Sequence, residues 1–552
     1  MSSAPFLRAP SGAGPALPFS VAAGIACVFW AQQSWVRSTN FSGADEWLCL
    51  DLVSRGVLGV PYADRPLVFL WTAIPATICP NHLGAYWLAH GLYLMGAGLL
   101  AGWLAGRIVP GNRPVALIGG AAACLWAPLD FMRLDAVLLI SYSGCTMGIL
   151  AALVLLLEFW RSPRLPLFVL GGGLAFVTAL GFEGALPMLA LGPALPWLAG
   201  VAPPRRALAW ASAWAAALAG AAAATAPRAL LAGRLRYQAS GLGFDPHPLR
   251  VALRLGRLLG LQLHPLATSP WSELWTPPVA LAVAVFVAFL VLAARHHGDG
   301  SVDLRRRLWR LAAAGLALVV CGTLPFALSP AVQGPARTQI LAGPGFGLAV
   351  AGVAGLLGLA APRRLRPAVL GLLGAWVVAV GTGRVVAMQR EWDAASSYPA
   401  QHRTLAGLLA RAPALRPGTL VVLLDDAGQW PFGFAFHHAV ELLYPGQAIG
   451  LVPGANDFLY PWQWTPQGVA VVPWASIRDA WGERPSLHPW SSLVVARLPP
   501  NGPLEVVDRW PDGRLPAAPA GAGYEPRARI VPAASPPPSR AILDTRPYQV
   551  RQ

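Results

Sequence analysis

The chain has 552 residues, of which 55% are hydrophobic and only 12% are charged, and its mean hydropathy is +0.51. Soluble domains carry about twice that share of charged residues, so the composition excludes an ordinary soluble protein and indicates a polytopic membrane protein. The 41 basic residues, against 25 acidic ones, are all arginines. They cluster in short loops between apolar runs, as topology determinants do, so no nucleic-acid partner is expected.

Apolar runs of about 20 residues, the length that crosses a bilayer, predict about 11 transmembrane helices. These are expected near 18–36, 84–107, 115–129, 136–158, 166–182, 184–200, 207–226, 277–294, 310–328, 338–361 and 368–388. Arginine in every loop predicted to be cytoplasmic places the N-terminus inside and the C-terminal region outside. The first span lacks a cleavage region, which favours a retained helix over a signal peptide.

Three regions are predicted to lie on the external side of the membrane, at 37–83, 227–276 and 389–552. The first contains a short, proline-broken apolar stretch at 67–78 that is expected to form an interfacial or a re-entrant helix. The second contains Arg250, Arg254 and Arg257, which share one face of a helix while leucines take the other. Such a helix is typical of one that lies flat on the membrane surface.

The region from 389 to 552 is less hydrophobic and is predicted to form a small extracytoplasmic α/β domain behind the transmembrane domain of residues 1–388. A helix is expected at 402–411. Short valine-rich runs predict strands at 419–424, 468–472, 492–496 and 504–507. The Pro/Ala-rich stretch at 515–540 is predicted to be poorly ordered.

An acidic pair, Asp45-Glu46, follows directly on the first span. Its continuation is Trp-Leu-Cys-Leu-Asp51-Leu-Val-Ser-Arg55-Gly, and then Pro61-Tyr-Ala-Asp-Arg65-Pro-Leu. This stretch resembles the first external loop of the C-superfamily (GT-C) membrane glycosyltransferases, which include protein O-mannosyltransferases and the aminoarabinose transferase of lipid A. The resemblance implies that Asp45 is catalytic and Glu46 supports it. Leu67 stands where the family's Arg-Pro-Pro-Leu-like stretch has a second proline.

The chemistry of glycosyl transfer fits this position. A carboxylate is needed to take the acceptor's proton as it attacks the sugar, and the end of a span lies at the membrane boundary, where a lipid phosphate also lies. Arg65 has a bidentate fork suited to that phosphate; alternatively it anchors the loop by pairing with Asp64 or Asp51. Arg337 resembles the arginine of the family's Arg-Tyr-x-x-x-Pro stretch, with Thr338 for the tyrosine; alternatively it snorkels.

The second external turn carries Asp130, Arg133 and Asp135, and resembles the family's second acidic site. The spacing leaves open whether Asp130 or Asp135 is the equivalent residue, and both could simply flank helix ends. Arg250, Arg254 and Arg257 are further candidates for binding the lipid phosphate.

Few residues of the sequence are candidates for binding a metal or for redox chemistry. His437 and Glu441 could share one face of a predicted helix, but two ligands are too few for a metal site, so neither a metal nor a cofactor is predicted. Cys49 and Cys79 fall in the same external region and could form a disulfide; buried thiols are the other interpretation.

These observations predict a glycosyltransferase of a bacterial inner membrane. Its donor would be a polyprenyl-phosphate-linked sugar held among membrane lipids, and its acceptor a glycan, lipid or protein on the external face. The alternative is a non-enzymatic role, either an inactive GT-C-like scaffold in a complex or a transporter.

Overall fold

The computed structural model describes residues 17–36, 40–41, 43–59, 65–79, 82–201, 206–232, 245–295, 302–329 and 338–532. The helices of the first half are α1 Phe19–Gln33, α2 Asp45–Ser54, α3 Leu70–Ile78, α4 Leu83–Ile108, α5 Arg113–Leu125, α6 Ile140–Arg161, α7 Leu165–Gly181, α8 Leu186–Ala190, α9 Ala194–Leu198 and α10 Ala207–Ala232. The later helices are α11 Pro248–Thr268, α12 Trp271–Leu274, α13 Pro277–Ala294, α14 Val302–Leu328, α15 Thr338–Ala360, α16 Arg366–Ala395, α17 Tyr398–Arg411, α18 Gly433–Leu443, α19 Ala475–Trp481 and α20 Pro526–Arg529. The strands are β1 Ala414–Leu415, β2 Thr419–Asp425, β3 Ala448–Leu451, β4 Trp462–Thr465, β5 Gly468–Val471, β6 Ser486–Pro489, β7 Leu493–Leu498, β8 Glu505–Val506 and β9 Ile530–Val531.

A bundle of apolar helices forms the first part of the chain. Within the described residues, seven helices are long and apolar enough to cross a membrane, namely α4, α6, α10, α13, α14, α15 and α16. Three shorter apolar helices, α1, α5 and α7, occupy positions where the hydropathy predicts further spans. The polytopic class therefore agrees with the sequence, whereas the predicted number of about 11 spans is not confirmed by the part of the chain that the structure describes.

The predicted span at 184–200 is wrong as a single helix. A 3₁₀ turn at Glu183–Ala185 and the short helices α8 and α9 replace it, because Pro187, Pro193 and Pro196 remove backbone donors and interrupt a continuous helix. The segment still runs the length of α14. The ring of Phe182 lies 6.3 Å from that of Phe326, and an ideal Cβ on Gly200 would lie 2.9 Å from the guanidinium of Arg310.

The two ends of the bundle differ in character. One end, here called the arginine end, carries Arg107, whose Nε lies 2.7 Å from Glu158 of α6, together with Arg310 and the turn at Arg363–Leu365. The opposite end carries the C-terminal domain. Helix α16 continues past the predicted domain boundary at 389 as far as Ala395 and joins the two parts.

The C-terminal domain is built on a sheet of order β3-β2-β7-β8. The central strand β2 is parallel to β3 and β7, and β8 is antiparallel to β7. Strands of parallel sheets are buried on both faces and are rich in branched apolar residues, which is why the run Thr-Leu-Val-Val-Leu-Leu forms β2. A second sheet has the order β4-β5-β6.

The Pro/Ala-rich stretch is partly ordered, contrary to the prediction. Residues 526–531 form α20 and β9, and β9 pairs with β1 in an antiparallel ribbon. This pairing returns the chain to the start of the domain. Residues 533–540 lie outside the described residues.

Candidate functional site: a carboxyl pair between the bundle and the C-terminal domain

The acidic pair of the sequence opens helix α2. Asp45 is its first residue and is half-buried, and Glu46 is fully buried. The backbone N–H of Ala44 donates to Glu46 Oε2 at 3.0 Å. Negative charge in the first turn is stabilised by the helix dipole, so the start of α2 is a favourable place for two carboxylates.

Glu46 contacts Asp135, which lies in the turn before α6. Their carboxyl groups share a hydrogen bond. The N–H groups of Val137 and Leu138 donate to Asp135 Oδ1 at 3.0 and 2.9 Å. Burial, followed by the charge of Glu46, raises the pKa of Asp135 well above its ordinary value. Two buried carboxylates in contact disfavour each other's ionisation, so the protonated form of Asp135 is favoured.

Asp135 Oδ2 accepts no hydrogen bond from an N–H or O–H group among the described residues, while Glu46 Oε2 accepts from the backbone. The raised pKa of Asp135 means that its protonated form is favoured in this buried site.

The thiol of Cys49, one turn after Asp45, is completely buried beside these carboxyl groups. Burial, and then the charges of Asp45, Asp135 and Glu46, raise the pKa of Cys49 well above its ordinary value. The thiol is therefore protonated and unreactive. Cys49 and Cys79 do not form a disulfide, since both are free, Cys49 being buried and Cys79 exposed.

The two aspartates of the second acidic motif have different partners. Asp135 joins Glu46, whereas Asp130 Oδ2 accepts from the N–H of Gln339 at 3.2 Å, at the start of α15. Arg133 is buried; it donates to the Cys124 carbonyl at 2.7 Å and to Gln32 Oε1 at 3.1 Å. Burial lowers the pKa of Arg133 to about 10, although Cys124 and Asp130 oppose this shift.

Arg65 pairs with a residue that the sequence did not single out. Its Nε and Nη2 donate to the two carboxylate oxygens of Glu183 at 2.7 and 2.6 Å, and its guanidinium lies 4.8 Å from the ring centre of Phe182. Burial alone would raise the pKa of Glu183, but Arg65 more than offsets it and the pKa is lowered. The expected partner Asp51 instead pairs with Arg55 and His438, and Asp64 lies outside the described residues.

The three arginines of α11 differ in environment. Arg254 donates to Asp245 Oδ2 at 3.0 Å and to the Ala327 carbonyl at 2.7 Å, which fastens α11 to the end of α14. Arg250 and Arg257 are exposed. Arg337 lies outside the described residues.

An apolar groove of about 370 Å³ is lined by residues of α11, α14, α15 and α16. Along α15 it extends from Phe346 to Leu357, about 17 Å at 1.5 Å per residue. Gln262 of α11 is among the residues that line the groove. It is buried, and its side-chain amide has no hydrogen-bond partner among the described residues.

Polar contacts lead from this groove to the carboxyl pair. Gln339 donates through Nε2 to the Leu261 carbonyl of α11 at 3.1 Å and through its backbone to Asp130. Asp130 lies beside Arg133, in the same turn as Asp135. Gln339 and Asp130 therefore connect α11 to the turn that carries Asp135.

Where the chain is described, it contains no cluster of three or more residues able to hold a metal ion. His437 stacks on Tyr460 at 3.8 Å between ring centres, and Glu441 accepts from the N–H of Gly446 at 3.0 Å. The two residues are thus engaged in contacts within the domain.

Comparison with known proteins gives a distant structural similarity. No protein-family model and no curated protein matches this chain. Among solved structures it is similar to the crystal structure of ArnT from Cupriavidus metallidurans bound to undecaprenyl phosphate, with 16% identity, a TM-score of 0.37, and coverage of 73% of this chain and 82% of that chain.

Proposed function

We propose that the protein is a membrane glycosyltransferase that moves a sugar from a polyprenyl-phosphate donor to a glycan, lipid or protein acceptor at the external face. The observation that carries this proposal is the convergence of Asp45, Glu46 and Asp135. Two acidic motifs that are distant in sequence, and that separately resemble the two acidic sites of GT-C enzymes, form a single site at one end of the bundle.

The proposed step is a displacement at the anomeric carbon of the sugar. The acceptor oxygen attacks that carbon and loses its proton to Asp45. The bond from the anomeric carbon to the phosphate oxygen breaks, and polyprenyl phosphate leaves with the bonding electrons. Asp45 suits the role of base because it is half-buried and so within reach of an acceptor, whereas Glu46 is buried and already bonded to Asp135.

The apolar groove and α11 support a lipid-linked donor. The groove is lined by apolar side chains apart from Gln262 and is long enough for several isoprene units. The exposed side chains of Arg250 and Arg257 lie on α11, which forms one wall of the groove. A donor with its tail in the groove would place its phosphate near these guanidinium groups, and charge-assisted contacts to phosphate are among the stronger hydrogen bonds in proteins.

The test measures consumption of undecaprenyl-phosphate-linked sugars in membranes prepared with and without the protein. We expect Asp45→Asn to lower the rate by about 10²–10⁴-fold, because Asn keeps the shape of Asp but cannot accept the proton. The melting temperature should change little. Asp508→Asn is the matched control, since Asp508 is an exposed aspartate of the C-terminal domain paired with Arg527, and it should retain full activity.

A second candidate, an inactive GT-C-like scaffold, is favoured by the state of the arginines. Arg65, Arg133 and Arg254 all donate to protein groups, so they are not free to bind a phosphate as the structure stands. Full activity of both Asp45→Asn and Glu46→Gln, or no consumption of donor by the wild type, would make the scaffold the better account.

A further inference from the structure

Helix α2 belongs to the core of the C-terminal domain rather than to that of the bundle. Its apolar side chains from Trp47 to Val53 pack in one buried cluster with Tyr398, Phe436 and the residues of β2 and β7. The bundle has its own separate core. The C-terminal domain therefore holds the helix that carries Asp45 and Glu46.

The spacing of residues on α2 separates two faces. Trp47, Asp51 and Arg55 are four residues apart and lie along one side of the helix, while Asp45 and Cys49 lie along the other, about 200° away. The first stripe contacts the C-terminal domain and the second contacts the site. Any rotation of α2 about its axis would therefore move Asp45 directly.

The beginning of α2 is held by Gln401 of α17. This buried amide accepts from Trp47 Nε1 at 2.7 Å and donates to the carbonyls of Gly43 and Gln429 at 2.7 and 3.0 Å. Gly43 has a positive φ of 85°, and an ideal Cβ there would lie 2.6 Å from Gln401 Oε1. The approach of the chain to Asp45 is therefore tightly defined by one residue of the domain.

The middle of α2 is held by a buried polar network. Asp51 Oδ2 lies 2.7 Å from His438 Nδ1, and His438 Nε2 lies 3.0 Å from the Tyr460 hydroxyl. Asp51 also pairs with Arg55 at 2.9 Å, and Arg55 with Glu483 at 2.8 Å. In a neutral imidazole, Nδ1 donates to the carboxylate and Nε2 accepts from the tyrosine.

We infer that the C-terminal domain positions the proposed catalytic carboxylate, and that His438 is the positioning residue that sets the rotation of α2 through Asp51. This inference rests on the proposed function. Apolar packing alone could hold α2 as firmly, and buried ion pairs are often no more stabilising than well-packed hydrophobic residues. A directional bond from His438 to Asp51 adds what apolar packing does not provide, a defined orientation of the helix.

The experiment compares variants of His438 with one of its neighbour in the full-length protein. His438→Ala removes the bond to Asp51 and should lower kcat by about 100-fold with the donor KM unchanged, since a displacement near 1 Å costs about that much. His438→Asn places an amide donor where Nδ1 lies and should restore most of the rate. Tyr460→Phe, which keeps the ring, should lower kcat by about three- to tenfold.

His437→Ala is the matched control, because His437 is buried on the same helix and stacks on Tyr460. It should lower the melting temperature without lowering kcat. Equal loss of kcat in the two alanine variants, or wild-type kcat in His438→Ala, would overturn the inference and leave the network a purely structural contact.

Hydrogen–deuterium exchange of residues 45–54 provides a readout that does not depend on activity. Exchange should be faster in His438→Ala than in the wild type and in His437→Ala. If the wild type consumes no donor, the proposed function fails while this comparison still tests positioning. Unchanged exchange in His438→Ala would refute the positioning role by itself.

Discussion

Burial and the neighbouring Glu46 favour the protonated form of Asp135. Asp135 has two backbone N–H donors on one oxygen, yet burial and Glu46 outweigh them and raise its pKa. Asp45, one residue before Glu46, is half-buried. Neighbouring carboxyl groups thus have different environments, which is the arrangement that separates a proton acceptor from a protonated partner.

At this scale we predict a pH dependence for Asp135→Asn. Since the folded protein holds the Asp135 proton above the ordinary value of 3.8, the unfolded chain releases it first, and wild-type stability falls as the pH rises from 3.8 toward the raised pKa. Asn cannot ionise and can still donate to Glu46. The melting temperature of Asp135→Asn relative to the wild type should therefore increase with pH. A difference that is constant from pH 4 to pH 8 would contradict this assignment.

Helix α11 is amphipathic and is attached to the bundle through polar contacts of Arg254, Leu261 and Leu266. Leu249 and Leu253 are 71% and 67% exposed, as expected for side chains that enter the lipid interface, and Trp271 and Trp275 are exposed just beyond its end. Tryptophan is enriched at membrane interfaces. The hydrogen bond from Arg254 to the Ala327 carbonyl holds this surface helix against α14.

The arginines of α11 should separate into two functional classes. Replacing either Arg250 or Arg257 by Ala should raise the donor KM by roughly ten- to a hundredfold, because a charge-assisted contact contributes about 1.5–3 kcal/mol. Arg254→Ala should instead lower the melting temperature and leave the donor KM unchanged. Kinetics with undecaprenyl-phosphate-linked donors would measure both effects, and the reverse assignment would show that the phosphate binds at Arg254.

The whole molecule is a helical bundle with different chemistry at its two ends. Arginine-rich turns lie at one end, and the C-terminal domain and the candidate site lie at the other. The segment from Glu183 to Gly200, in which prolines interrupt the helix, runs along α14. The chain therefore passes from one end of the bundle to the other in this segment, although no single helix covers that distance.

We predict that the arginine end is cytoplasmic and the C-terminal domain extracytoplasmic. The exposed positions Gln467, in the turn between β4 and β5, and Ser162, between α6 and α7, can each be changed to Cys after Cys27 and Cys79 are replaced by Ser. In spheroplasts an impermeant maleimide should label Gln467→Cys at once, and Ser162→Cys only after permeabilisation. The opposite labelling pattern would place the candidate site on the cytoplasmic side and would contradict the proposed topology.

Local properties of the chain account for what the sequence determined by itself. Apolar length identifies the membrane class, valine-rich runs identify strands such as β2 and β7, and the position of Asp45 after the first span identifies a candidate site. Hydropathy and periodicity act over a few turns of chain, so they predicted most helices. They failed at 184–200 because mean hydropathy does not register the breaks introduced by three prolines.

Only the tertiary structure decided which side chains meet. The selection of Asp135 over Asp130 as the partner of Glu46, the pairing of Arg65 with Glu183, and the bond from Asp51 to His438 all join residues that are distant in sequence. Such pairs depend on how helices pack and rotate, which periodicity does not specify. The sequence therefore identified the carboxylates, and only the tertiary structure brought Glu46 together with Asp135.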